Sequence, residues 1–520
     1  MGPLSRNDHR KLNEYEPVVT VDETEEEVCE EEYIAPHYER LNSSPDTSTE
    51  ASSSSRQVLL NFILMSVLFS ANHAAMVSVF AFETLNLGRT GAWELSLLSL
   101  IYASSSILGA TYVVKQLGAR SSMVLGMVFY AVYVSCFYLS LQLQIFVNFF
   151  STIGAVMGGL GGGVLWTSQG SYFSRASEDY AACCGNKPKQ EATALFAGIF
   201  AFIYLLEEVA CKLLSWVLLQ ETSATWTTVA GIYSIIAIIS ALFMGLVHDY
   251  HIPHSEMETD IWYKTTCAWH LLRRNPKMRY MVGLNAVFGF ACPFVNAYVN
   301  GEVVARVLIK DTNQRFVGLF SALSSAVAAL CSLVTGGKSM AKYKGIVLIM
   351  GSVSFSMVAL PFILSSHFSQ WTWSMLAAVY CFQGIGRATF EGTLRSVFAD
   401  YFPHEREGSY ANIILQNGAF TSLGFLLSFY VPCWPQSSHC IEFKDGSLHN
   451  MSILEGGIIV VAVVSILGFL QARRIHKIEQ AVVQANEEFD LFFPGGHEHG
   501  VTGGSESIEA AIRYSCGACG

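Results

Sequence analysis

The chain has 520 residues, 52% of them hydrophobic and only 14% charged, where a soluble domain carries roughly 25% charged residues. That deficit excludes an ordinary hydrated globular surface. The net charge of −11 belongs to one segment, because Met1 to Arg56 holds 14 of the 42 acidic residues and 5 of the 31 basic ones, leaving 28 against 26; it therefore argues for neither an acidic core nor a nucleic-acid partner.

Residues 1–56 are acidic around Glu25-Glu26-Glu27 and Glu30-Glu31-Glu32, then Ser-rich. Too little apolar area is present to offset ordering entropy, which predicts a disordered cytosolic tail. Within it Tyr38-Glu39-Arg40-Leu41 has the spacing of the tyrosine-based sorting signals read by clathrin adaptors, with Tyr38 and Leu41 as the two anchor positions. No signal peptide precedes the first apolar run near Val58, so the first helix is expected to act as its own insertion signal.

In hydrocarbon every backbone amide must be paired internally, so each long apolar run has to be a helix, and crossing takes roughly 20 residues. Twelve runs qualify, at 57–82, 92–114, 121–140, 143–170, 191–217, 225–247, 279–304, 315–336, 344–365, 371–396, 408–431 and 452–471. They divide the chain into a six-helix half (57–247), a connecting loop (248–278), a second six-helix half (279–471) and a cytosolic tail (472–520). Lys115, Arg120, Arg175, Lys187, Lys189, Lys264, Arg273, Arg274, Lys338, Lys342, Lys344, Arg473 and Arg474 all fall on the side of the N-terminal tail, although Arg306, Lys310 and Arg315 fall opposite. The positive-inside rule then puts both termini in the cytosol, of a plasma, endosomal or vacuolar membrane. On the other side, Asn450-Met451-Ser452 is a glycosylation triplet, and Cys433 and Cys440 could close a small disulfide.

Several intramembrane residues are too polar to face lipid. The fourth run contains Gly154, Gly158, Gly159, Gly161, Gly162 and Gly163, followed by Gln169; such a face permits either close helix packing or a hinge beside a polar cavity. In the fifth, Glu207 and Glu208 sit mid-span, where a lipid-facing carboxylate costs about 2.5–3.5 kcal/mol. Glu208 can reach Lys212 at i,i+4, leaving Glu207 as the candidate proton or cation ligand. The tenth run carries Arg387, Glu391 and Arg395 at i,i+4 spacing, an alternating ladder read as ion pairs that latch one conformation at the cytosolic end; an anion site at Arg387 is the second reading. Asn285, Asn296 and Tyr298 beside Pro293 in the seventh run, with Asn72, His73, Asn412 and Gln416, complete the expected substrate or ion pathway. His73 alone reads as an interhelical hydrogen bond.

No nucleophile elbow, His-Glu-x-x-His or nucleotide fingerprint is found, and Cys516-x-x-Cys519 is a lone pair. An enzyme, a metal site and a resident cofactor are therefore not expected.

Three stretches together resemble UNC-93-like proteins of the major facilitator superfamily: Leu87-Gly88 to Met127; Gly163-Val164-Leu165-Trp166-Thr167-Ser168-Gln169-Gly170-Ser171-Tyr172; and Gly386-Arg387 with Phe398, Tyr410-Ala411-Asn412 and Gln416. The resemblance covers roughly Val58 to Leu470 and implies an all-α, twelve-helix facilitator fold in two six-helix halves. It allows two functions: secondary transport of a small solute or ion, or a non-transporting regulatory or trafficking subunit of a potassium channel or membrane receptor. Lys115 to Arg120 departs from the facilitator pattern by lacking its Asp-Arg pair. If the tail signal acts, Tyr38→Ala will move protein from internal membranes to the cell surface, measured by surface biotinylation; unchanged pools would remove that role.

Overall fold

The computed structural model describes residues 47–183, 189–221, 224–249, 261–308, 315–335, 340, 343–364, 368–402, 406–430, 440–442 and 448–492. Tyr38, Leu41 and Cys433 lie outside them, as do the side chains of Cys440 and Asn450, so the sorting, disulfide and glycosylation expectations concern residues beyond this description.

Helices follow the apolar runs: α1 (Thr47–Leu87), α2 (Arg89–Leu108), α3 (Ala110–Leu117), α4 (Ala119–Gln142), α5 (Val147–Cys183), α6 (Lys189–Glu221), α7 (Trp226–Met244), α8 (Ile261–Arg274), α9 (Pro276–Pro293), α10 (Val304–Val307), α11 (Phe316–Thr335), α12 (Lys344–Leu364), α13 (Trp373–Ala388), α14 (Arg395–Tyr401), α15 (Arg406–Tyr430) and α16 (Ser452–Phe492). Two π-helical segments, Phe294–Val303 and Thr389–Leu394, join α9 to α10 and α13 to α14 into continuous rods. The first follows Pro293, whose missing N–H cannot complete the regular ladder.

Each of the twelve predicted spans falls on one of these rods, and eight rods are apolar and long enough to cross a bilayer on composition alone. The others are α2 with α3, α6, α13 with α14, and α15, which carry many of the polar residues discussed below. Leu242, Leu246, Leu330 and Val460 are each more than 60% exposed, an arrangement that is stable only where hydrocarbon replaces water. Tight reversals use glycine where φ is positive: Gly88 (φ 56°) turns α1 into α2 and Gly118 (φ 80°) turns α3 into α4. Asn275 starts α9 by accepting from the Lys277 amide at 3.0 Å, with Pro276 at the first helical position.

Several boundaries differ from the sequence reading. Helix α1 begins ten residues before 57, inside the expected tail. The 248–278 connection contains α8, and α9 starts at Pro276. Helix α16 continues to Phe492, past the expected end at 471. In each case charged or polar residues extend or add a helix outside the apolar stretch, where hydropathy is silent. The loop before α16 also holds a short antiparallel ladder, Cys440–Glu442 against Leu448–Asn450.

The glycine face of α5 bears on the choice between packing and hinge. The helix runs unbroken through all six glycines. A Cβ on Gly159 would stand 2.6 Å from Ile101 Cβ and 2.7 Å from the Leu98 carbonyl, and one on Gly161 would stand 2.8 Å from Phe129 Cβ. Backbone contact with α2 and α4 therefore requires these glycines, which supports the packing reading. Gly159→Ala is expected to destabilise the protein by about 1–3 kcal/mol, measured by unfolding in detergent; Gly170→Ala, with nothing within 4 Å, should be near neutral.

Candidate functional site

Charge in the bilayer interior is tolerated only when it is paired away from lipid, and one cluster meets this condition across three rods. Glu208 falls near the middle of α6, Ser325 at the middle of α11, and Arg387 midway along the Trp373–Tyr401 rod. The Arg387 guanidinium grips Glu208 in a fork, Nη1 to Oε1 at 2.7 Å and Nη2 to Oε2 at 2.8 Å. It also donates to Glu391 Oε1, from Nη2 at 2.8 Å and from Nε at 3.0 Å. Lys212 pairs with the same Glu208 from the next turn of α6. Ser325 accepts from Lys212 Nζ at 3.1 Å and lies 2.9 Å from Glu208 Oε1. Two acids and two bases thus neutralise one another in a buried knot that joins the first six rods to the last six. Glu391 Oε2 is buried and has no hydrogen-bond partner among the described residues.

An aromatic chamber adjoins the knot. His73 of α1 is ringed by Phe69, Tyr130, Trp166 and Tyr204, with its Nε2 3.1 Å from Tyr204 Oη. Arg395 lies 4.4 Å above the Trp166 ring, a cation–π contact. Glu208, Glu391, Arg387 and Arg395 all act electrostatically on Tyr204, and the first of these acts on His73 as well. Chamber and knot therefore share one centre.

The expected ladder is corrected in two respects. It lies at mid-depth instead of the cytosolic end, and Arg395 turns to Trp166 in place of continuing the ladder, because the π-helical segment after Ala388 shifts the phase of the helix. Glu208 pairs with Lys212 as the i,i+4 spacing predicts and is held by Arg387 as well, whereas Glu207, about 100° around the helix, is half-buried and outside the knot.

The expected amide pathway does not converge. Asn72 ties α1 to α4 and α7 through the carbonyls of Met127 (3.2 Å) and Ala237 (2.8 Å). Asn285 donates to Gln416 at 2.8 Å, and Asn412 donates to the Ala268 carbonyl at 2.8 Å, forming a separate buried group on α8, α9 and α15. Asn296 bonds Cys292 Sγ and Asn300, while its carbonyl accepts from Thr84 at 2.6 Å. Tyr298 packs against Phe294 and Phe362 in an aromatic cluster, and Gln169 is buried in α5. The donors of Asn72 and Asn412 go to backbone carbonyls of other helices and those of Asn285 and Asn296 to neighbouring side chains, partners that side-chain type alone did not reveal.

Ser325 and Tyr204 were not singled out by sequence, nor were two buried acids, Glu83 and Glu94. Both acids flank the Gly88 turn, where carboxylates ordinarily reach water.

Rods spanning a bilayer, tied at mid-depth by a charged knot between two groups of six, define a facilitator-type membrane transporter fold. The Major Facilitator Superfamily model matches residues 58–432, and the chain belongs to that superfamily. Within it the chain is UNC-93-like: it is 23% identical to protein unc-93 homolog A of Bos taurus over 380 residues, 64% of this chain and 78% of that one. It is 21% identical to the Homo sapiens protein of the same name over 420 residues, 72% and 85% of the two chains. Among solved structures it resembles the nucleoside transporter NupG (TM-score 0.52, 14% identity, 80% of this chain and 98% of that one) and the xylose transporter XylE from E. coli (0.53, 12%, 80% and 97%). At such identities these likenesses establish the fold.

Removing one partner of a buried ion pair costs about 3–5 kcal/mol. Glu208→Gln and Arg387→Met should each lose that much stability in mixed-micelle unfolding, and the double variant should lose about 1–3 kcal/mol less than their sum; strict additivity would show that the fork contributes nothing.

Proposed function

We propose that this protein is a facilitator-type secondary transporter of a small solute or ion, with the Glu208–Arg387 knot as the latch between its two groups of rods. The observation that carries this reading is the position of the knot, at mid-depth and across the interface that must open for access to alternate. Other bonds across the same interface lie nearer the face opposite the start of α1: Thr84 to the Asn296 carbonyl (2.6 Å), Asn300 to the Ala81 carbonyl (3.2 Å) and Ser96 to Ser422 (3.0 Å). A solute or proton that competes for Glu208 or Arg387, using the unpartnered Glu391 Oε2 or His73 Nδ1 as a first contact, would loosen the latch only by binding the open form more tightly.

The balance of the knot, two acids against two bases, favours a second reading. A fully neutralised latch also suits a non-transporting subunit that holds one conformation and regulates or escorts a channel or receptor.

Uptake of potassium and a panel of metabolites into liposomes tests the two. Transport predicts flux in the wild type, at least a tenfold loss in Glu208→Gln with assembly retained, and less than a twofold change in Glu207→Gln. Absence of flux with every solute, together with recovery of one membrane partner on purification, would replace the transporter with the subunit.

A further inference from the structure

A second acidic site lies away from the central knot. Glu83, near the end of α1, and Glu94, in the second turn of α2, are 0% and 1% exposed. Their carboxyl groups share the side chain of Tyr133: a Cβ on Gly154 would stand 3.0 Å from Glu94 Oε1 and 3.5 Å from the Tyr133 ring. Tyr133 of α4 donates to Glu83 Oε2 at 2.6 Å. The other Glu83 oxygen and both Glu94 oxygens have no hydrogen-bond partner in donor–acceptor geometry among the described residues, although the Ser151 hydroxyl lies beside Glu94.

Among the described residues no cation is paired with either acid. Tyr133, Tyr130 and Cys136 of α4 are the titratable groups that face the pair. Arg89, at the start of α2, is exposed, and on the segment packed across α1 Glu302 pairs with Arg306 at 3.3 Å. Two buried carboxylates that act on each other, with no cation paired to either, cannot both stay ionised. Three unpartnered acceptor oxygens are an incomplete bonding pattern; a proton held between the carboxyls joins Glu83 Oε1 to one Glu94 oxygen, and the Ser151 hydroxyl is the neighbouring donor for the other.

Glu94 also lines a cavity of about 110 Å³ with Thr90, Trp93, Asn148, Ser151 and Thr152. These residues start α2 and α5, so the cavity lies at the face opposite the start of α1; Trp93 and Leu97 make much of its wall apolar, and Thr90, Asn148, Ser151 and Thr152 bring the polar groups that could hold water beside Glu94. Gly154 leaves the carboxyl its room, since a Cβ there would stand 3.0 Å from Glu94 Oε1. Glu83 is the residue before Thr84, whose hydroxyl bonds the Asn296 carbonyl across the interface.

From this geometry we infer that Glu83 and Glu94 form an exchangeable proton-binding site, filled through the cavity from the face opposite the start of α1. The site stands apart from the reading of the central knot, and holds whether or not any solute crosses.

Infrared difference spectroscopy of the full chain in lipid nanodiscs, stepped between acidic and alkaline pH in H2O and D2O, reads it directly. The wild type should show a protonated-carboxyl C=O band that shifts in D2O and disappears on the alkaline step. Glu94→Gln and Glu83→Gln should each lose it, and Gly154→Ala, which keeps both acids, should shift its frequency or midpoint. The inference is overturned if the band survives in both Gln variants, if the wild-type band responds to neither pH nor D2O, or if the response follows sodium or potassium concentration at fixed pH, which would mark a metal-cation site. Because the wild-type titration and Gly154→Ala retain both glutamates, poor folding of a Gln variant leaves the test decisive.

Discussion

Hydrocarbon supplies no hydrogen bonds, and this deprivation shapes every level of the molecule. It forces the backbone into rods that satisfy their own amides. It leaves apolar side chains such as Leu242 and Val460 on the outside, and drives each interior charge toward a partner. The central knot is the strongest expression of that demand: Glu208 takes Arg387, Lys212 and Ser325 at once because no water can take their place.

The same constraint distributes polar residues into two kinds of work. Asn72, Asn285 and Asn412 spend their donors on neighbouring helices and hold the rods in register. Asn72 and Asn285 leave only a neutral amide oxygen without a partner, whereas the central knot and the Glu83–Glu94 pair leave carboxyl oxygens unpartnered in buried positions. Groups left incomplete where incompleteness is costly are where a ligand or proton has something to gain. The two sites differ in how charge is balanced: opposite side chains neutralise the knot, whereas no ion pair among the described residues reaches the acid pair.

Rigid and adaptable elements alternate around the centre. Glycines of α5 bring α2 and α4 to backbone contact, which fixes the wall carrying Trp166. Facing it, the π-helical segments after Pro293 and Ala388 re-aim the side chains that follow, among them Asn300, Glu391 and Arg395. The Arg395–Trp166 contact ties one of these rewound helices to that wall.

Hydropathy located the approximate limits of the rods, eight of which are apolar and long enough to cross a bilayer on composition alone, since burying a long apolar run in lipid outweighs any local preference. The i,i+4 pairings of Glu208 with Lys212 and of Arg387 with Glu391 were equally legible, because a helix brings them together without help. Helix α8 and the extensions of α1 and α16 were not legible, since they lie outside the apolar stretches. Tertiary structure decided which of two neighbouring glutamates meets Arg387, where Arg395 goes after a π-helical shift, and that Glu83 and Glu94, eleven residues apart across a turn, come to share Tyr133. Each of those outcomes depends on the phase of one helix against another, a quantity set by side-chain packing across the whole bundle and carried by no single stretch of sequence.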